Sequence, residues 1–116
     1  MKEICKVQSM MFELMKLASF NSFDGEQVVR DLIDNRDLWQ GVVMDREGLI
    51  KLRDIQSNDW NVDTLYITTT GVNDVKLEEL AEDWSADEVE YLTPDEASHE
   101  LGQWPAPSKV LRIWWD

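Results

Sequence analysis

The chemistry in this chain is concentrated between Asp74 and Glu100. That stretch carries eleven carboxylates (Asp74, Glu78, Glu79, Glu82, Asp83, Asp87, Glu88, Glu90, Asp95, Glu96, Glu100) against one cation, Lys76. At helical spacing Glu78, Glu79, Glu82 and Asp83 share one face. Glu78 with Glu82, and Glu79 with Asp83, are i, i+4 neighbours, and like charges so placed cost a few tenths of a kcal/mol per pair. Lysine at either position would remove that cost. Two readings stay open: a solvated, solubilising face, or a docking surface for a cationic partner. A Ca²⁺ loop would need oxygen ligands at fixed spacing around a Gly, and none is present. No metal is expected.

The six tryptophans, Trp39, Trp60, Trp84, Trp104, Trp114 and Trp115, are many for so small a core. Trp buries much area at little entropic cost and is enriched in binding hot spots. Trp84 falls on an apolar helical stripe. Trp114 and Trp115 are adjacent on an expected strand, so they point to opposite faces. Both are buried only if the sheet is covered on both sides; otherwise one lies exposed near the C-terminus. Trp60 and Trp104 fall in expected loops. The expected partner-binding set is Glu78, Glu79, Glu82, Asp83, Asp87, Glu88, Trp60, Trp104 and Trp115.

Other reactive groups have weak settings. His99 lies near Glu96 and Glu100, which favour its protonated form, but no Ser or Cys accompanies it in a local motif. Cys5 has only Lys2 and Lys6 to stabilise a thiolate. Thr68-Thr69-Thr70-Gly71 ends a strand before a helix, where open α/β sheets bind ligands, but it lacks the further Gly or the Lys-Ser/Thr pair of a phosphate loop. Asp45, Arg46 and Glu47 read as turn residues. The chain has no G-x-G-x-x-G, Walker A, H-E-x-x-H, G-x-S-x-G or C-x-x-C. No enzymatic activity and no cofactor are expected.

The elements that position these residues can be read in outline. Residues 10–20 fit helix slightly better than strand, with Met11, Leu14, Met15 and Ala18 on one face, and residues 20–23 read as a break. Asp24 caps a helix at about 25–35, with Gln27 as reciprocal partner and Val28, Val29, Leu32 and Ile33 as its apolar face. Leu38–Met44 and Leu49–Arg53 flank Asp45-Arg46-Glu47-Gly48 as a hairpin. Thr64–Thr70 is β-branched and ends at Gly71, so it reads as a strand. Asn73 or Asp74 caps a helix with Leu77, Leu80, Ala81 and Trp84 at i, i+3, i+4, i+7. Val89–Leu92 is a short strand. Thr93-Pro94-Asp95-Glu96 starts a helix that stops at Gly102. Lys109–Trp115 is the last strand. The expectation is an α/β or α+β single domain over 1–116, with 1–10 mobile. It has a mixed sheet of about five strands, in which a hairpin precedes a β-α-β-α-β unit and helices pack on the sheet. Strands joined through helices are expected to be parallel.

Composition bounds the rest. A chain of 116 residues fits one domain and buries roughly 65% of its unfolded surface without staples. Hydrophobic and aromatic fractions of 43% and 9% exclude a disordered chain. A single Cys cannot form an internal disulfide, which fits a reducing, cytoplasmic compartment. No apolar run approaches the ~20 residues of a membrane span, and no leader is expected. Met1, Met10 and Met11 are each plausible starts. Of the net charge of −13, residues 1–58 hold −2 (10 acidic, 8 basic) and residues 59–116 hold −11 (14 acidic, 3 basic). Such a field repels nucleic acid and anionic lipid and attracts a basic protein. The leading expectation is an acidic protein-binding module, an inhibitor or immunity-type protein on a basic, nucleic-acid-handling partner. The alternatives are an assembly subunit using the Trp-rich C-terminal strand, homo-oligomers included, and a small ligand-binding domain at the Thr68–Asn73 strand end.

Overall fold

A computed structural model of the chain describes residues 3–17, 19–20, 23–45, 63–93, 95–96 and 109–115. The ambiguous first stretch is a helix, α1 (Lys6–Leu17), which starts before the expected position. Phe12 and Met15 are its buried residues, and Phe12 meets the Trp39 ring edge-on at 5.5 Å. Leu14, expected inside, faces water. The largest ring on the helix takes the core, and the buried face rotates with it.

Where a break was expected, β1 (Ser19–Phe20) and β2 (Phe23–Asp24) form a two-stranded antiparallel ribbon. It feeds α2 (Gly25–Asp34), whose first turn is held by Asp24 Oδ1 accepting from Gln27 N at 3.4 Å. Val28, Val29 and Leu32 are buried, and Ile33 is partly exposed. A 3-10 turn at Arg36–Leu38 leads into β3 (Trp39–Asp45).

The second half runs β4 (Thr64–Thr69), α3 (Asp74–Asp83), β5 (Glu88–Tyr91) and β6 (Val110–Trp114). The four long strands lie in the order β3-β4-β6-β5, and every neighbouring pair is antiparallel. The α+β class with helices packed on the sheet is as expected; the strand pairing is not. β4 and β5 do run in the same direction, as a helical crossover requires, but β6 returns between them. Burial explains this order. Val110, Leu111, Ile113 and Trp115 are all buried, which suits an inner strand, whereas β5 (Glu-Val-Glu-Tyr) is exposed throughout and suits an edge. Residues 49–53 lie outside the described residues, and the described partner of β3 is β4.

α1, α2 and α3 all contribute to the cluster that includes Leu65, Ile67, Leu111 and Ile113. The opposite sheet face carries a smaller cluster of Leu92 and Val110 with Tyr66. The edge of β3 is closed by α1. Gln8 Nε2 donates to the Val42 carbonyl and Gln8 Oε1 accepts from Val42 N, both at 2.8 Å. The side-chain amide thus stands in for a neighbouring strand's peptide, one way of blocking an open sheet edge. Among the described residues, no helix is long and apolar enough to cross a membrane.

Candidate functional site

α3 is fixed at both ends. Gly71 turns the chain at φ +80°, a conformation that L side chains rarely adopt. Asn73 Oδ1 then accepts from Lys76 N at 3.2 Å, the expected cap. At the far end Ser85 takes φ +60°. Its N–H donates to the Glu82 carbonyl at 3.0 Å, and Ala86 N donates to the Ala81 carbonyl at 3.2 Å. That pair of bonds is a left-handed helix stop. Leu77, Leu80, Ala81 and Trp84 are buried as the stripe predicts. The opposite face is therefore held in water.

That face carries Glu78, Glu79, Glu82 and Asp83, all exposed. No cation lies within ion-pair distance of any of the four among the described residues. The last turn of α3 has no basic residue, so Glu82 and Asp83 stand at the negative end of the helix dipole, where anions are disfavoured. Asp87 and Glu88 follow on the exposed turn into β5. Glu88 is partly compensated. Arg112 reaches Glu90 at 3.2 Å and Glu88 at 3.8 Å, on the sheet face away from α3. Asp74 lies 3.8 Å from Lys109, and its Oδ1 is buried without a hydrogen-bond partner among the described residues. The Tyr91 hydroxyl donates to Glu78 Oε2 at 3.2 Å, tying β5 to α3. Partial burial, then the Glu78 and Asp74 carboxylates and that hydrogen bond, push the Tyr91 phenol up to about 12.

The tryptophans are placed differently from the expectation. Trp115, expected at the partner surface, is buried in the core. Its Nε1 donates to the Trp84 carbonyl at 3.0 Å, and its ring meets Phe23 edge-on at 4.8 Å. Trp84 Nε1 donates to Asp31 Oδ2 at 2.8 Å, and Trp39 Nε1 to the Leu32 carbonyl at 2.7 Å. Each buried indole thus has an acceptor, as burial requires. The ring packing and these acceptors account for three of the six tryptophans as core. Trp114, on the other face opposite Glu88, is the half-buried member of the pair. Trp60, Trp104 and His99 lie outside the described residues. Cys5 is exposed just before α1.

The geometry lends less support to the two alternative sites. β6 is hydrogen-bonded to β4 on one side and β5 on the other, so it offers no edge to a second chain. The Thr68–Asn73 end is not the edge of a parallel sheet, and its polar groups are engaged locally. Thr70 Oγ1 donates to the Asp37 carbonyl at 2.7 Å and accepts from Val72 N at 3.3 Å. Thr93 is likewise engaged in a reciprocal cap with Glu96 (3.0 and 3.2 Å). Those bonds from Thr93 hold the Glu96 carboxyl below its ordinary range.

Sequence reasoning missed Val72 and Val75. Both are strongly exposed at the start of the acidic face, 71% and 63%. The signal was present, since Val75 stands three and four residues before Glu78 and Glu79, on their side of the helix. The chain matches no family model, no curated protein and no solved structure.

Proposed function

We propose that this protein is a non-enzymatic, acidic protein-binding module. In this reading the α3–β5 face docks on a basic, nucleic-acid-handling partner in the cytoplasm, in the manner of an inhibitor or immunity-type protein. One observation carries the reading: four exposed carboxylates on one helix face have no described counter-charge, and their arrangement costs helix stability. Lysine at one position of each pair would remove that cost and still leave the chain strongly acidic. Carboxylates in a row can occupy the positions that phosphates take in a basic groove, and their field accelerates encounter with such a partner. Val72 and Val75 supply the apolar contact assigned to Trp115 from sequence. Asp87 and Glu88 extend the face round the edge of β5.

The test is capture from nuclease-treated lysate of the source organism at roughly 50 and 300 mM salt, where the Debye length is about 14 and 6 Å. A basic protein held at low salt and released at high salt is expected. It should be lost when Glu78, Glu79, Glu82 and Asp83 are changed to Lys. The same proteins captured by wild type and by this variant would refute the reading.

A further inference from the structure

α1 carries a second apolar stripe, on a side the core does not use. Val7, Met10, Leu14 and Leu17 are 79%, 62%, 43% and 73% exposed. Their spacing of three, four and three residues is that of the a and d positions of a helix–helix seam. Polar residues would normally fill the water-facing side of such a helix. The four side chains leave on the order of 400 Å² of apolar surface in water, in the range where a patch on a monomer is often functional.

We infer that this stripe is a self-association surface, on which α1 of a second copy packs antiparallel about a two-fold axis. Three observations favour a second copy as the occupant. The heptad spacing is self-complementary, because an antiparallel pair sets Val7 against Leu17 and Met10 against Leu14 of the other copy. Two such patches together bury roughly 800 Å², below the ~1,200 Å² of stable specific interfaces, which implies a weak, reversible dimer. Charge also permits it. α1 holds Lys6, Lys16 and Glu13, a net of +1 in a chain of −13, and Glu13 is already paired with Lys16 at 3.0 Å. α1 lies along β3, at the opposite edge of the sheet from β5 and the acidic face. Contact through α1 therefore keeps the two acidic faces apart. This inference does not depend on the proposed function, and salt separates the two. Screening the residual repulsion between two strongly acidic chains should tighten the dimer, whereas it should weaken docking through carboxylates.

Sedimentation equilibrium of the full chain from about 5 to 500 μM, at roughly 50 and 300 mM salt, tests this. The expected result is a monomer–dimer equilibrium that tightens with salt. Leu14→Glu or Val7→Lys should weaken it about tenfold or more. The two sites are exposed, and unchanged tryptophan fluorescence would confirm that each variant folds. A strict monomer throughout, a dimer indifferent to both variants, or a dimer that loosens with salt would each overturn the proposal.

Discussion

Changing Glu82 and Asp83 together to Lys should stabilise the free protein. In the native chain Glu82 faces Glu78 and Asp83 faces Glu79, one turn apart on an exposed helix face. The double change turns each repulsive i, i+4 pair into an attractive one with the acid on the N-terminal side, the better orientation. Each reversal is worth roughly 0.5 kcal/mol. Both positions lie in the last turn, where replacing an anion by a cation adds a further ~0.3–1 kcal/mol from the helix dipole. The sum is about 1–2 kcal/mol, and the net charge of −13 becomes less negative by four units. Urea unfolding followed by tryptophan fluorescence reads this directly. The midpoint should rise at constant slope, with the melting temperature up by about 4–8 °C. The gain should largely vanish near 1 M salt, where the screening length is ~3 Å. A lower or unchanged midpoint would refute the reasoning. It would mean that these carboxylates hold the fold together and are not retained for a partner.

The Gln8 clamp and the Tyr91 phenol give two further tests. Gln8→Ala removes both bonds to Val42 and leaves a partly covered peptide N–H and carbonyl without partners, at a cost of ~1–3 kcal/mol. Urea unfolding measures the loss, and light scattering should show new aggregation through the uncovered β3 edge; a neutral substitution would deny the clamp its role. Of the chain's two tyrosines, Tyr91 should ionise near 12 by phenolate absorbance, and Glu78→Gln should bring that step down. The folded value lies above the unfolded value of 10.0, so this phenol's contribution to stability is complete below that pH and lost as pH climbs to about 12. A titration unmoved by Glu78→Gln would show that the hydrogen bond does not govern the phenol.

Local signals were legible in this chain because each needs only neighbouring residues. Thr93 and Glu96 form the reciprocal cap that the sequence suggests, Asp24 accepts from Gln27 N without the return bond among the described residues, and of Asn73 and Asp74 it is Asn73 that caps its helix. The Leu77-Leu80-Ala81-Trp84 stripe is buried, and its reverse face is acidic and exposed. Long-range order was not legible. A helical crossover implies parallel strands, but it does not say that they are adjacent. A third strand, β6, inserts between β4 and β5 because its buried apolar residues suit an inner place, whereas the exposed β5 suits the edge. The tryptophans misled for a related reason. Composition shows six large rings but not that Asp31, Leu32 and Trp84 supply acceptors that let three of them sink. Gln8 carries no sequence signal at all, since its role depends on a strand 34 residues away.

The two sheet edges are protected by different chemistry, and that difference divides the molecule's surface. At β3 the edge is covered by α1 through the Gln8 amide on Val42, and the Arg36 guanidinium of the 3-10 turn that leads into the strand caps the Trp39 carbonyl at 2.6 Å. Covering an edge with a short amphipathic helix moves the exposure problem outward, to whatever apolar residues the helix turns to water. At β5 the edge is only four residues long and carries Glu88 and Glu90, so charge discourages another strand from adding. Charge protects this edge without a covering helix, leaving Val89 and Tyr91 partly exposed between the carboxylates, and it builds a field that a basic surface can use. A dimer through α1 would carry two acidic faces pointing away from its axis. Such an object can engage a partner with two basic sites far more tightly than one face could, through effective concentration alone. Salt would then act on bivalent binding twice with opposite signs, tightening the dimer and loosening each contact. Capture that is strongest at intermediate ionic strength would be the signature of the two surfaces working together, and it would disappear in Leu14→Glu while single-face binding remained.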